Sequence, residues 1–324
     1  MGFEDLARDD EHLSEMGEHI SCETYTIDQI VDKNKKHNFS LFHTNIRSLI
    51  KHHTELDSLL STTNHSFDIV GCSETWLNEN SRLDSLNIGG YNLMVKNRAY
   101  SVGGGVCLYV KSKYCVNVCE NLTVNDGYSD SLFIEMNTKN AKKLIVGIIY
   151  RPPGFNPDIF RLKLEETLYH INNKNRDCII LCDFNIDISK DVFINTLHSF
   201  SFFPTINIFT RVTNRSRTII DNFITNIENA SIDSGVILSE ISDHLPIILF
   251  MHLSNKFKLF LHKEKAKVLN LKTLTNLREN MLNKTWDHIY SCRDPDTAYN
   301  LLVNEITDYA EHHPRESCCE WHHK

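Results

Sequence analysis

Nine short apolar runs recur between residues 39 and 253, and this recurrence restricts the possible folds more than any other feature. The runs are rich in Val, Ile, Tyr and Phe and are bounded by Gly, Asn or Pro, which is typical of β-strands. Runs this continuous indicate strands that are covered on both faces. The nine runs are Phe39–Asn45, Phe67–Ser73, Tyr91–Val95, Gly105–Val110, Leu132–Met136, Leu144–Tyr150, Cys178–Cys182, Thr218–Thr225 and Leu245–Leu253.

Helical patterns separate some of these runs. Phe160, Leu164, Leu168 and Ile171 follow the 3.6-residue period of one helix face, and a second set runs from Leu56 to Leu60. The order is strand, helix, strand, then strand pairs, then strand, helix, strand again. This order predicts an α/β fold, a sandwich built on more than one sheet.

Changes in composition predict three regions. Residues 1–37 are a polar, acidic and loose lead-in, residues 38–253 form the core domain, and residues 254–324 form a helical connector with an irregular tail. Pro295 separates two helical stretches in the connector. The tail is rich in His and Cys, but its Cys318–Cys319 pair lacks the spacing of structural zinc sites, so we do not predict zinc there.

The net charge of -8, from 34 basic and 42 acidic residues, excludes a general basic coat for nucleic acid, although a local basic groove is compatible with it. No apolar run approaches the roughly 18 residues that a membrane span requires. The acidic start does not resemble a signal peptide. We therefore expect an intracellular protein of the nucleus or cytoplasm with no membrane attachment. Cysteines inside apolar runs, such as Cys72 and Cys178, are expected to be buried thiols.

Six polar signatures share one feature, which is that each borders an apolar run. The ends of strands are where α/β enzymes place reactive groups. Taken singly, such an acidic residue is more often a turn or helix-cap residue. The six are Asn45, Glu74, Tyr150-Arg151-Pro152-Pro153, Asp183-Phe184-Asn185, Asp221 and Ser242-Asp243-His244.

Taken together, these residues suit the hydrolysis of a phosphodiester. A hard cation such as Mg²⁺ is bound by one or two carboxylates, a role for Glu74 and Asp243. A separate carboxylate, Asp183, can accept the proton of the attacking water. The amides of Asn45 and Asn185 can orient phosphate or water without adding negative charge.

A histidine paired with a carboxylate completes this chemistry. His244, if paired to Asp221, can donate a proton or hydrogen bond to the phosphoryl oxygens.

The ordered set resembles the endonuclease/exonuclease/phosphatase superfamily, which includes DNase I-like and abasic-site nucleases. It is most similar to the endonuclease domain of non-LTR (LINE-type) retrotransposons, and the resemblance covers about two thirds of the chain. The segments that carry the narrower resemblance are Thr44–Leu49, Ser73–Leu77, Gly103–Val106, Tyr150–Pro153, Asp183–Asn185, Thr210–Thr213, Ile220–Asp221 and Ser242–Pro246.

The resemblance implies a four-layered sandwich of two β-sheets flanked by helices, with Mg²⁺ as cofactor and Mn²⁺ as a substitute. The implied roles are metal binding for Glu74, Asn45 and Asp243, water activation for Asp183, histidine positioning for Asp221, and phosphate contact for His244, Tyr150 and Asn185. Arg47, Arg151, Thr210 and Arg211 are assigned to substrate binding.

Arg47 departs from the abasic-site nucleases, which often carry a carboxylate two residues after the first Asn. Retroelement domains commonly lack that carboxylate, so this departure favours the narrower resemblance. Arg47 can contact a DNA phosphate or can be a solvated residue at the end of a strand.

The implied activity is nicking of one DNA strand to leave a 3′-hydroxyl from which a reverse transcriptase primes. Nothing in the chain resembles that polymerase, so element RNA or a reverse transcriptase would be supplied elsewhere. We expect a monomer. The alternatives are another phosphoesterase of the superfamily, such as an abasic-site endonuclease or a lipid or inositol phosphatase, and a catalytically inactive retroelement remnant.

Overall fold

The computed structural model describes most of the chain between Ile20 and His312. The described residues are 20–30, 37–98, 103–123, 127–137, 143–188, 191–213, 216–228, 231–239, 241–253, 278–279, 281–292 and 294–312. The chain divides into two compact units, residues 1–262 and 263–324.

The first unit is built from strands. Those that the structure describes are β1 (Ile20–Tyr25), β2 (Phe39–Asn45), β3 (Ile69–Ser73), β4 (Tyr91–Lys96), β5 (Val106–Lys111), β6 (Val116–Val118), β7 (Asp130–Met136), β8 (Leu144–Tyr150), β9 (Asp177–Asp183), β10 (Phe203–Pro204), β11 (Arg211–Val212), β12 (Arg217–Thr218), β13 (Asp221–Thr225), β14 (Ile232–Ile237) and β15 (Ile247–Met251).

Most of these strands belong to two mixed sheets. The first sheet has the order β1-β14-β15-β2-β3-β5-β4, with parallel pairing of β1 to β14 and of β2 to β3. The second has the order β10-β13-β9-β8-β7-β6, with parallel pairing of β8 to β9. Strands β11 and β12 form a separate two-stranded ribbon.

The two sheets pack face to face through their central strands, with β2 and β3 of the first sheet in contact with β8 and β9 of the second. The approach is close at Gly71, where a Cβ atom would lie 2.5 Å from the Leu181 side chain of the opposite sheet. A single core cluster includes apolar residues of both sheets, such as Leu41, Ile148 and Ile180. This packing stacks the parallel pairs of the two sheets on each other.

Helices cover the outer faces. Helix α1 (Leu49–Thr62) buries Leu56 and Leu59 in a cluster with residues of the first sheet. Helix α2 (Pro157–Asn173) begins after Asn156, whose side chain accepts hydrogen bonds from two first-turn amides, and it packs into the core cluster of the second sheet. Helix α3 (Asp191–Ser199) follows β9. The predicted sandwich of two sheets with flanking helices is confirmed.

The expected loose lead-in does not hold for residues 20–30. Strand β1 pairs with β14 at the edge of the first sheet, and both Tyr25 and Ile30 are buried. A short strand that alternates polar and apolar residues gives little signal in composition. The approach of the two strands requires Gly235, because a Cβ atom there would lie 1.9 Å from the carbonyl oxygen of Glu23.

The second unit is helical in its described part. It contains α4 (Asp287–Tyr290) and α5 (Pro295–His312), so the helical extension is confirmed, and Pro295 stands at the first position of α5. Residues 254–277 and the His- and Cys-rich tail from residue 313 onward lie outside the described residues. Cys72, Cys107, Cys178 and Cys182 are buried free thiols, as expected.

Candidate active site

The predicted site residues converge at one end of the stacked sheets. Asn45 ends β2, Tyr150 ends β8 and Asp183 ends β9, while Glu74 directly follows β3. The register pairs Asn45 with Ser73 and Tyr150 with Asp183, so each parallel pair ends level with its neighbour. Because the two parallel pairs pack on each other, their carboxyl ends form one cluster of polar side chains.

Asn45 joins two carboxylates at the centre of this cluster. Its amide nitrogen donates to Glu74 Oε1 at 2.9 Å and to Asp183 Oδ2 at 2.8 Å, and the residue is fully buried. Its amide oxygen accepts from the backbone N–H of Arg47 at 3.2 Å. The metal-binding role predicted for Asn45 requires its amide oxygen, but the amide nitrogen faces the carboxylates, so Asn45 instead holds Glu74 and Asp183 together.

Glu74 receives two further hydrogen bonds. The Tyr150 hydroxyl donates to Oε1 at 3.1 Å, and the Trp76 indole donates to Oε2 at 3.2 Å. The backbone of Glu74 lies in the left-handed region, with φ of 53°. This conformation is uncommon outside glycine and is frequent at functional sites. Three donors, from Asn45, Tyr150 and Trp76, therefore hold the Glu74 carboxylate in place.

Asp183 and Asp221 occupy paired positions on the antiparallel strands β9 and β13. Both are buried. Burial and the facing charge of Asp221 raise the pKa of Asp183 to about 8, although His244 and the hydrogen bond from Asn45 oppose the shift. This places the pKa of a buried carboxyl near neutral pH, which suits a general base.

Asp221 holds the imidazole of His244. The distance from Asp221 Oδ2 to His244 Nδ1 is 2.8 Å, and both side chains are buried. Burial alone would lower the pKa of His244, but the charge and hydrogen bond of Asp221, together with Asp183 and Asp243, raise it to about 9. The imidazole is therefore cationic at neutral pH and can donate to an anion.

Thr210 and Ser242 support this pair through the backbone. Thr210 Oγ1 accepts from the N–H groups of Ile220 and Asp221, both at 3.1 Å. Ser242 Oγ donates to the carbonyl of Asn45 at 2.8 Å, which links the end of β2 to the loop that carries His244. Thr210, which was predicted to bind substrate, is fully buried and positions the Asp221 strand instead.

Arg151 also differs from its predicted role in substrate binding. It is buried, and its guanidinium donates to the backbone carbonyls of Phe184 at 2.9 Å and Asn185 at 3.3 Å and also to that of Phe155. In return, Asn185 Nδ2 donates to the Arg151 carbonyl at 2.9 Å. Arg151 therefore fixes the loop after β9, because buried carbonyls need donors and this guanidinium supplies them.

Asp243 has different partners from the other predicted metal ligands. Arg47 Nη1 lies 3.0 Å from Oδ1, and Arg211 contacts Oδ2 with Nε at 2.9 Å and Nη2 at 2.8 Å. Although partial burial opposes the effect, His244 and the two arginines lower the pKa of Asp243. The structure thus groups Asp243 with two cations, because Arg47 and Arg211 come from chain segments whose proximity the sequence did not reveal.

Three residues that support the site are not among the predicted site residues. The Arg98 guanidinium lies 5.3 Å from the centre of the Tyr150 ring and pairs with Asp130, which is opposite Tyr150 in the β7–β8 register. Burial raises the pKa of Tyr150, so its hydroxyl remains protonated and can donate. Trp76 is the third such residue. It lies in the Ser73–Leu77 segment that carries the family resemblance, whereas no pattern in the sequence indicates Arg98 or Asp130.

The carboxylates of the site fit a divalent cation. Among the described residues, Asp221 Oδ1 is buried and has no hydrogen-bond partner, and one ligand atom from each of Asp183, Asp221 and His244 lies within 4.8 Å of the others. A cationic imidazole whose Nδ1 is already engaged is a poor metal ligand. Glu74, which is held by Asn45, Tyr150 and Trp76, offers the carboxylate oxygens that hard cations prefer.

Comparison with known proteins is consistent with this geometry. The family model described as "Endonuclease/Exonuclease/phosphatase family" matches residues 31–244. The chain therefore belongs to this family of hydrolases, whose members are generally metal-dependent. No curated protein matches the chain.

Several solved structures share the fold at low sequence identity. The endonuclease domain of TRAS1, a telomere-specific non-LTR retrotransposon, is 14% identical with a TM-score of 0.50, covering 67% of this chain and 100% of its own. A 3′-5′ exonuclease from Neisseria meningitidis is 15% identical with a TM-score of 0.52, covering 66% and 100%. The Xenopus laevis APE2 catalytic domain is 19% identical with a TM-score of 0.50, covering 69% and 93%.

Among the helices of the described residues, none combines the length and the apolar character needed to cross a membrane.

Proposed function

We propose that this chain is a Mg²⁺-dependent endonuclease that hydrolyses a phosphodiester bond in one strand of DNA and leaves a 3′-hydroxyl. The observation that carries the proposal is the convergence of Glu74, Asp183 and the Asp221–His244 pair at one end of the stacked sheets. A cation-binding carboxylate, a base and a cationic donor are the three groups that this reaction requires.

Asp183 is the base in this proposal. Its raised pKa, about 8, matches a group that accepts a proton near neutral pH. The water proton passes to Asp183, and the water oxygen forms a bond to phosphorus. The bond from phosphorus to the 3′-oxygen then breaks, the departing 3′-oxygen takes up a proton from solvent, and the products are a 3′-hydroxyl and a 5′-phosphate.

His244 and Asn185 supply donors to the phosphate. The cationic imidazole, held through Nδ1 by Asp221, offers its other ring N–H to a phosphoryl oxygen. The second amide N–H of Asn185 adds a neutral donor, since Asn185 uses one N–H on the Arg151 carbonyl, whereas the single hydroxyl proton of Tyr150 is engaged with Glu74. Such fixed donors stabilise the charge that develops as the bond breaks.

Glu74 would hold the cation, which when bound would neutralise phosphate charge and lower the barrier to attack, while Asp183 is kept for the proton of the attacking water. Asn45, Trp76 and Tyr150 fix the Glu74 carboxylate beforehand. Mn²⁺, which also suits oxygen ligands, is the expected substitute.

The proposed biological role is target-site nicking for a retroelement. It is supported by the resemblance of the motifs around Asn45, Glu74 and His244 to LINE-type endonuclease domains and by the fold shared with the TRAS1 domain. In this role the chain acts as a monomer on DNA inside the nucleus or cytoplasm. It works with element RNA or a reverse transcriptase supplied elsewhere.

The proposal is tested by incubating the protein with supercoiled plasmid and Mg²⁺ at low salt and identifying the DNA product. We expect nicked circles whose 3′ ends are extended by a DNA polymerase without prior treatment. Activity should fall steeply with added salt, because the net charge is -8 and DNA binding depends on local basic residues. Efficient hydrolysis of a small phosphate monoester with no nicking would contradict the proposal and favour a phosphatase.

A further inference from the structure

Asp243 is surrounded by different partners from the other carboxylates of the site. Both of its oxygens contact guanidinium groups, Oδ1 that of Arg47 at 3.0 Å and Oδ2 that of Arg211 at 2.8 and 2.9 Å. Glu74 and Asp183, in contrast, both accept from the amide nitrogen of Asn45. We call Asp243, Arg47 and Arg211 the basic side of the site.

The balance of charge on the basic side disfavours a metal ion. Two guanidinium groups surround one carboxylate, which leaves one net positive charge at Asp243. A divalent cation at Asp243 would displace these arginines or be repelled by them at short range. An anion, in contrast, would be attracted.

The two arginines retain donors for such an anion. Each guanidinium has five N–H groups, and their contacts with Asp243 leave some of them uncommitted. The Arg47 and Arg211 side chains are 45% and 32% exposed, so both are accessible to a ligand.

The backbone fixes both arginines near the catalytic residues. Arg47 has φ of 45°, and its N–H is bonded to the Asn45 side chain. Arg211 begins β11 and forms a β-bridge with His244. The two guanidinium groups are therefore placed by the same residues that place the predicted catalytic groups, which suits a phosphate bound beside them.

We propose that Asp243 is a positioning residue and not a metal ligand, and that it aligns Arg47 and Arg211 as one site for a phosphate of the DNA backbone. This inference rests on the proposed function for the identity of the ligand. Guanidinium pairs suit phosphate because their N–H groups match its oxygens in geometry and charge.

The first test is the affinity for Mn²⁺ alone, measured by titration calorimetry without DNA. Asp243→Asn should bind Mn²⁺ within about twofold of the unchanged protein, whereas Glu74→Gln should lose about tenfold or more. Thermal unfolding of both variants checks that they fold, and Asp243→Glu provides a second variant that keeps the charge. Equal losses in Asp243→Asn and Glu74→Gln would overturn the inference.

The second test is binding to a labelled DNA duplex in EDTA, where no hydrolysis occurs. Arg47→Gln and Arg211→Gln should each reduce the slope of log affinity against log salt by about one. Arg82→Gln, an exposed arginine elsewhere in the same unit, is the matched control and should leave the slope unchanged. Unchanged slopes for Arg47→Gln and Arg211→Gln would overturn the phosphate site.

A double-mutant cycle on nicking then tests positioning. If Asp243 acts through Arg211, the loss in kcat/KM for Asp243→Asn combined with Arg211→Gln should be no larger than the greater single loss. Multiplied losses would contradict this. Reduced salt slopes in a chain that does not nick DNA would refute the proposed function but leave the phosphate site standing.

Discussion

Asp183 and Asp221 face each other at paired positions on the antiparallel strands β9 and β13. The two acids have different partners, since Asn45 donates to Asp183 and His244 pairs with Asp221. The facing charges and burial raise the pKa of Asp183, while the pairing raises that of His244. The facing pair of aspartates thus accounts for both the candidate base, Asp183, and the cationic donor, His244.

The cost of burying Asp183 predicts a stability effect. The pKa of Asp183 is about 8 in the folded protein and about 4 in the unfolded chain. The free energy of unfolding therefore falls as pH rises from about 4 to about 8, because the unfolded chain releases this proton first. Asp183→Asn should therefore raise the free energy of unfolding in EDTA by roughly 1–3 kcal/mol near pH 8, and by less near pH 5. Denaturant unfolding at the two pH values measures this. A variant less stable than the unchanged protein near pH 8 would refute it.

The pairing of His244 with Asp221 predicts a change in titration. In Asp221→Asn the amide cannot supply the charge that raises the pKa of His244 to about 9, so the pKa should fall by at least about one unit. Histidine NMR resonances followed against pH in EDTA measure the shift, with His244→Gln used for assignment. A pKa that stays at about 9 would show that Asp221 is not its cause.

Trp76 should influence metal binding through Glu74. Trp76→Phe keeps an aromatic ring but removes the N–H that donates to Glu74 Oε2. Because the indole is 45% exposed, we expect a loss of about 1 kcal/mol, or roughly fivefold in Mn²⁺ affinity. Calorimetric titration measures the loss, and Trp286→Phe in the second unit is the control. Equal affinities in all three proteins would exclude a role for the indole.

A histidine away from the site should weaken the fold in acid. His65 packs between the rings of Phe67 and Phe250, and burial together with Lys111 lowers its pKa to about 4. A histidine whose pKa is lowered by folding stabilises the fold above its unfolded pKa of about 6.5. This stabilisation is lost as pH falls from about 6.5 to about 4.

His65→Gln tests this account because glutamine does not titrate in that range. Between about pH 7 and pH 4.5, the free energy of unfolding of His65→Gln should fall by about 2 kcal/mol less than that of the unchanged protein. His170→Gln, an exposed histidine on helix α2, serves as the control. Parallel pH dependence in the His65→Gln variant and the unchanged protein would refute the account.

The sequence predicts the positions of the reactive groups better than their partners. Asn45, Tyr150 and Asp183 were located because continuous apolar runs end at them, and parallel strands bring such ends to one edge. The edge strand β1 and its partner β14 went unnoticed, since each carries polar residues that break the apolar pattern. Gly235 in β14 is explained only by the backbone that crosses it.

The roles of arginines were the hardest to predict. Arg151 looks like a substrate ligand in the sequence but donates to buried carbonyls of the following loop. Arg47 and Arg211 meet at Asp243 although they lie far apart in the chain. A guanidinium suits both a phosphate and a buried carbonyl, so only the three-dimensional partners distinguish the two uses.

The central claim is that Asp183 and His244 act with a bound cation to cleave DNA. Its most direct test is the rate of plasmid nicking with Mg²⁺ and with EDTA by the unchanged protein, Asp183→Asn, His244→Ala and the exposed-carboxylate control Asp57→Asn. We expect nicking only with Mg²⁺, a loss of about 10²–10⁴-fold in the two site variants and an unchanged rate in the control. Nicking in EDTA, or nicking retained by both site variants, would contradict the claim.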